Sequence, residues 1–209
     1  MTQEEARDWI DERWGGRAVD RLDRFADLLT IEAAKQNLVS RGSLSELWTR
    51  HFVDSAQLVP LAPDDWRSWL DIGTGAGFPG MIVALLVERP ITMAEPRARR
   101  VEFLQAVVDE LRLAHASVRL SKVERLSGLS PDVISARAVA SVEDVFGMSE
   151  ALSQLSTTFL LPRGRSGEQE IAAVRSRCKG LFHVEQSLTD PASVILVASR
   201  VQRRCSASR

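Results

Sequence analysis

An α/β fold built on a Rossmann-like, doubly wound sheet is predicted by three features of the sequence. Residues 70–80 read as the end of a buried strand, a glycine-dense turn and the first turn of a helix. Strand-like apolar segments then alternate with helix-like ones, the signature of a parallel sheet with crossover helices. The last two strand-like segments follow each other with only a short link, which makes them antiparallel. The expected architecture is five parallel strands plus a terminal antiparallel pair, with an N-terminal helical cap.

Length and composition fit one globule. At 209 residues, with 44% hydrophobic and 26% charged residues, the chain can bury a core without staples. We expect residues 1–66 to form the cap as part of the same globule, 67–201 to form the ligand-binding domain, and 202–209 to form a disordered basic tail. No apolar run approaches the length that spans a bilayer, and the first residues lack the basic start and apolar core of a signal peptide. Cys178 and Cys205 read as reduced thiols, so a cytoplasmic location without membrane attachment is expected. The net charge of −1 gives no bulk attraction for nucleic acid. Positive charge is local, at Arg97, Arg99 and Arg100 and again at Arg200, Arg203, Arg204 and Arg209.

The elements follow in order. A polar segment from Asp8 to Trp14 stops at Gly15-Gly16, and a longer helix puts Leu22, Phe25, Leu28 and Leu29 on one face. That helix frays near Asn37. Ser43-x-x-Glu46 is a capping-box pattern and predicts a helix carrying Leu44, Leu47, Trp48 and Phe52 inward. His51 and Asp54, three apart, share a face of it. They suit either a general base with its orienter or a pair tying the helix to the sheet. The first strand ends in the glycine turn, and Pro79 suits the first turn of the next helix. Residues 91–95 form the second strand. Pro96 opens a helix with Val101, Leu104, Val108 and Leu111 as its apolar stripe. Residues 116–120 and 132–136 are the third and fourth strands, with a helix from Val142 to Leu155 behind them. The fifth strand covers 157–161, a helix 168–179, and the final pair 181–184 and 193–198, joined through the turn signal Asp190-Pro191.

The ligand of the glycine turn is the next decision. Gly75-x-Gly77-x-x-Gly80 with Glu95 twenty residues after Gly75 matches a dinucleotide fingerprint. The overlapping Asp71-x-Gly73-x-Gly75-x-Gly77 resembles the first motif of class I S-adenosylmethionine-dependent methyltransferases, and the sheet layout resembles theirs. A plain packing turn is the bland alternative, but so many turn and acid positions are hard to explain by packing. Glu95 at a strand end has lone pairs for two ribose hydroxyls. Val123 and Glu124 end the third strand, where the adenine would lie. Arg137 stands at the carboxyl edge of the fourth strand, facing the crevice, and could hold a carboxylate or phosphate.

Absent residues narrow the chemistry. The segment Ser135-Ala136-Arg137-Ala138 is not the Asp/Asn-Pro-Pro-aromatic motif of adenine amine methyltransferases. No cysteine stands there for cytosine C5 chemistry, and His51, His115 and His183 have no metal-ligand spacing with the cysteines. An acceptor that is already nucleophilic remains. Guanine N7 fits, because its lone pair is free and it carries no proton, so alignment can replace a catalytic residue.

Four segments then resemble one family: Arg50-His51-x-x-Asp54-Ser55, Asp71 through Gly80, Glu95-Pro96-x-x-Arg99-Arg100-Val101-x-Phe103-Leu104, and Ser135-Ala136-Arg137-Ala138-Val139. They resemble, in order over about residues 20–200, the RsmG (GidB) family of small-subunit ribosomal RNA methyltransferases. The resemblance implies a class I S-adenosylmethionine-dependent fold and methylation of guanine N7 in the 530 loop of 16S rRNA. The small ribosomal subunit, or an intermediate in its assembly, would be the partner of a monomeric enzyme. By matching positions, Gly73, Phe78, Val123, Glu124 and Arg137 would contact S-adenosylmethionine, with Gly75, Gly77 and Glu95 completing its cradle. Arg50, His51, Arg97, Arg99, Arg100 and Arg163 are the candidates for RNA, and no metal is implied. The chain departs from the family at Asn37-Leu38-Val39-Ser40 and at Pro162-Arg163-Gly164, where an arginine replaces the usual lysine. A NAD(P)-dependent oxidoreductase, or a cofactor-binding protein methylating another substrate, are the competing readings.

Overall fold

The computed structural model describes residues 1–165 and 167–203. Two helices open the chain, α1 (Gln3–Trp14) and α2 (Gly16–Ala33). Thr2 and Glu5 form a capping box at the start of α1, which therefore begins well before Asp8. The expected helix from Ser43 is broken into pieces. Ser40, not Ser43, is the N-cap, accepting from the Ser43 N–H, and it opens only the short α3 (Arg41–Leu44). A π-helix, Trp48–Val53, and the short α4 (Asp54–Ala56) follow. Leu47, Trp48 and Phe52 are buried as expected.

The strands are β1 (Trp69–Ile72), β2 (Ile91–Glu95), β3 (Ala116–Leu120), β4 (Val133–Ala136), β5 (Thr158–Arg163), β6 (Cys178–Gln186) and β7 (Val194–Arg203). Between them lie α5 (Gly80–Leu86), α6 (Ala98–Glu110), α7 (Val142–Met148) and α8 (Gly167–Arg177). They form one seven-stranded sheet in the order β3-β2-β1-β4-β5-β7-β6. Strands β1 to β5 are parallel, and β7 runs antiparallel to both β5 and β6. The order reverses between β1 and β4, which opens a crevice at their carboxyl ends.

Several ends differ from expectation. The helix behind β4 stops at Met148, where the buried Ser149 turns its hydroxyl onto the Val145 carbonyl. Strand β5 continues through Pro162, because β4 pairs with it only as far as Leu160 and leaves one side free of a ladder. Strand β7 runs to Arg203, pairing Gln202 with Lys179, so the tail expected from residue 202 is ordered at its start. Residues 204–209, with Arg204, Cys205 and Arg209, lie outside the described residues.

Two apolar layers flank the sheet. One joins Ile10, Leu22, Phe25 and Phe52 of the cap to Met81, Ile82 and Leu104, and the other joins Val145, Phe146, Ile171 and Val174 to β4, β5 and β7. Alternation along β1 sends Leu70 and Ile72 to the second layer and Trp69 to the first. Asp71 therefore faces the first layer, where it is fully buried. Its Oδ2 accepts from the Gly80 N–H at 2.8 Å and its Oδ1 from the Ser135 hydroxyl at 2.7 Å. Ser135 in turn accepts from the Trp69 indole N–H at 2.8 Å. A Cβ at position 80 would sit 2.8 Å from the Asp71 carboxylate and 2.7 Å from Met93, so only glycine allows this approach. Burial pushes the Asp71 carboxyl up to about 6, against the pull of its donors.

This shift has a definite sign. The folded chain holds the Asp71 proton more tightly than the unfolded chain, so the native state loses stability as pH rises from about 4 to about 6. Denaturant titrations of wild type and Asp71→Asn across that window should show the difference in stability moving against wild type with rising pH. The expected slope is at most about 1.4 kcal/mol per pH unit. A pH-independent difference would show that Asp71 ionises normally.

Candidate active site

The glycine turn is fixed at both ends. At its start the Gly73 and Thr74 N–H groups donate to the Ala94 carbonyl, and at its end Asp71 holds the Gly80 N–H. Between them the Gly75 N–H donates to Glu95 Oε2 at 3.0 Å, and the Arg97 N–H donates to Oε1 at 3.0 Å. Arg100 lies 3.7 Å from the same carboxylate. Glu95 is thus locked at the end of β2 with a lone pair remaining on each oxygen. The glycines divide the work. Gly77, at φ 105°, lets the turn press on Met81, Leu104 and Phe25, where a Cβ would clash at 2.8 Å with Met81. Gly73 is covered by the Val139 side chain.

Across the crevice, Arg137 is the hub. Its Nη1 donates to Asp54 Oδ2 at 2.8 Å and to the Arg50 carbonyl at 3.3 Å, and its Nη2 donates to His51 Nδ1 at 3.0 Å. At the end of the π-helix the Asp54 N–H bonds to the His51 carbonyl, not that of Arg50. His51 and Phe78 stack with centroids 4.6 Å apart, and the Arg137 guanidinium lies 4.9 Å from the centre of the Phe78 ring. His51 and Asp54 therefore meet through Arg137, which ties the cap to the sheet.

A guanidinium only donates, so the His51 Nδ1 must accept and the neutral ring carries its proton on Nε2. That Nε2 is buried and has no hydrogen-bond partner among the described residues. Burial, reinforced by Arg137 and Arg50, lowers the His51 pKa to about 3. A ring held so far below its ordinary value is a poor general base.

Two cavities meet at Arg137 and Ala138. The first, about 370 Å³, is lined by Gly73, Gly75, Phe78, Arg50, His51 and Arg100 among others. The second, about 270 Å³, lies towards the ends of β5 and β7 and is lined by Arg163, Glu170 and Ser193 among others. Ala138 divides them with a left-handed φ of 54°. Of the residues singled out in the sequence, the fold gathers Gly73, Gly75, Phe78, Arg50, His51, Arg100 and Arg137 around the first cavity. Val123 is buried at the end of β3 beside the exposed Glu124. Arg97 and Arg99 are exposed, and Arg99 lines a separate groove with Lys35 and Asn37. Arg163 belongs to the second cavity. Glu170, its neighbour, carried no signal in the sequence, since it reads as one more acid of an exposed helix.

This sheet with its cradle defines a Rossmann-like S-adenosylmethionine-dependent methyltransferase scaffold. A methyltransferase crystal structure from Geobacter sulfurreducens superposes with a TM-score of 0.60 at 14% identity, covering 84% of this chain and 90% of the other. A crystal structure of an MtNAS variant in complex with S-adenosylmethionine superposes with a TM-score of 0.59 at 14% identity, covering 88% and 76%. The sequence model of the GidB family, described as rRNA small subunit methyltransferase G, matches residues 18–193, and the chain belongs to that family. A relative from Erythrobacter litoralis, named Ribosomal RNA small subunit methyltransferase G, is 42% identical over 94% of this chain and 95% of its own length.

The locked ring is open to measurement. Nitrogen-15 correlation spectra should show His51 neutral with its proton on Nε2 throughout pH 5 to 8. In Arg137→Met the His51 pKa should rise yet stay below 6.5, because burial, the larger cause, remains. Titration of wild-type His51 near neutrality would refute the buried, arginine-bound placement.

Proposed function

We propose that the chain transfers the methyl group of S-adenosylmethionine to guanine N7 in the 530 loop of 16S rRNA. The observation that carries the reading is the first cavity, which joins the glycine turn to the Arg137 hub in a chain of this family. The residues fit the cofactor. Glu95 keeps two lone pairs for ribose hydroxyls, the orphaned His51 Nε2–H is a donor in search of an acceptor, and Arg137 suits a carboxylate. Gly73, Gly75, Phe78, Arg137 and, at the adenine end, Val123 and Glu124 would complete its contacts, with Gly77 supporting the turn from behind.

S-adenosylmethionine supplies an electrophilic methyl on a sulfonium. Guanine N7 supplies a lone pair and has no proton to lose, so the protein's task is to bind, orient and exclude water. The neutral His51, engaged at Nδ1, agrees with a reaction that needs no base. Arg50, Arg97, Arg99 and Arg100 would meet RNA phosphates around the crevice, and Arg163 the acceptor side. With a net charge of −1, the substrate is taken to be the small subunit or an assembly intermediate, whose shape adds contacts that bulk charge does not. The protein acts as a cytoplasmic monomer in this reading.

Purified protein incubated with methyl-labelled S-adenosylmethionine and 30S subunits from cells lacking the modification should label one guanine of the 530 loop. Strand cleavage specific for N7-methylguanine would map it, and label elsewhere would overturn the assignment. Glu95→Gln should weaken S-adenosylmethionine binding about tenfold to a hundredfold by calorimetry, the worth of a hydrogen bond to a charged acceptor. Undiminished affinity would remove Glu95 from the ribose site.

A further inference from the structure

The second cavity contains a polar arrangement that packing does not use. Arg163 sits at the end of β5 with its side chain only 7% exposed. Its Nη1 donates to the Ala140 carbonyl at 2.9 Å. Its Nε and Nη2 are buried without a hydrogen-bond partner among the described residues. Leaving such donors unpaired carries the desolvation cost of the group with no bond to offset it, and the cost is larger for a charged group. The nearest carboxylate, Glu170, stands 3.8 Å from Nε, too far for a hydrogen bond. One Glu170 oxygen accepts from the Val142 N–H, and the other is turned to the arginine. Arg163 and Glu170 both line a cavity of about 270 Å³, and Arg137 and Ala138 line it as well.

We propose that this cavity takes the target guanine, with Arg163 donating to O6 and Glu170 accepting from N1–H. The proposal rests on the function proposed above and adds where the base lies and what selects it. The pattern suits guanine and rejects adenine, whose corresponding edge presents an amino group to the arginine and a bare nitrogen to the carboxylate. It also respects the chemistry. The common arginine contact to guanine engages O6 and N7 together, which would occupy the reacting atom. Reading O6 and N1–H leaves N7 free to face the divide, beyond which lies the first cavity. Because Arg163 and Glu170 then hold the base-pairing edge, the guanine enters unpaired.

The test uses the full chain titrated with GMP, IMP and AMP, followed by nuclear magnetic resonance. GMP should bind about tenfold or more tightly than AMP, with a shift at the Arg163 Nε–H. IMP, which keeps O6 and N1–H, should follow GMP and not AMP. In Arg163→Met the preference should vanish, and in Glu170→Gln, which retains an acceptor for the Val142 N–H, it should shrink. Equal affinity for GMP and AMP, no GMP binding at millimolar concentration, or full preference in either folded variant would overturn the pocket. Thermal midpoints identify a variant that fails to fold, and the other variant then decides. Methyl transfer to 30S subunits is followed on the same preparations. Transfer without guanine selectivity overturns the pocket and leaves the proposed function standing. Selectivity without transfer keeps the pocket and overturns the function.

Discussion

The buried carboxylate of Asp71 is the constraint on which the site depends. It stands where β1, β4 and α5 converge, and each of the three supplies part of its environment. Ser135 of β4 and the first N–H of α5 donate to it, and Trp69 of β1 orients the serine. A carboxylate in this position is costly to keep charged, so the donors have to be placed well. The return is geometric. The turn from Ile72 to Gly80 is held by backbone pairing at one end and by Asp71 at the other. Gly75 is left in the middle, its N–H committed to Glu95. Anchoring a loop at both ends and once in the middle is how a glycine-rich segment becomes rigid enough to bind.

Arg137 does for the cap what Asp71 does for the turn. Apolar packing alone has no preferred angle between a cap and a sheet. One guanidinium accepting no bonds and donating to Asp54, His51 and the Arg50 carbonyl fixes that angle. Asp54 extends the lattice to Gln57 and Thr189, and Gln57 accepts from the Leu188 N–H, so the β6–β7 connection is tied to the same point. Both cavities therefore share one rigid wall.

Much of this was legible in the sequence for a simple reason: strands buried on both faces read as apolar runs, and the turn needs glycines where few other residues fit. The central strands β1, β2, β4 and β5 and the cradle follow from those two signals, whereas the edge strands β3 and β6 are largely exposed. Segment ends were less legible, because they depend on tertiary partners. Ser43 matches a capping box, but its hydroxyl donates to the Ser40 carbonyl and the chain winds into a π-helix. Pro162 reads as a strand terminator until β4 is seen to stop short of it. The His51–Asp54 spacing showed that the two share a face. That a third residue, eighty-three positions beyond Asp54, would bind both is a fact of topology and not of spacing.

The commitments of the acidic groups bear on the chemistry. Asp71 is sealed in the core, Asp54 serves Arg137, Gln57 and Thr189, and Glu95 holds two backbone N–H groups. His51 is kept neutral with its basic nitrogen engaged. None of these groups stands ready to take a proton from an acceptor. A methyl acceptor bearing a proton, such as an exocyclic amine, would be poorly served here, whereas a ring nitrogen with an open lone pair asks only for placement. Selection among bases then falls to binding, and binding selects through complementary donors and acceptors. Arg137 between the two cavities is committed to the cap, while His51 Nε2 beside the first and two Arg163 nitrogens beside the second have no hydrogen-bond partner among the described residues.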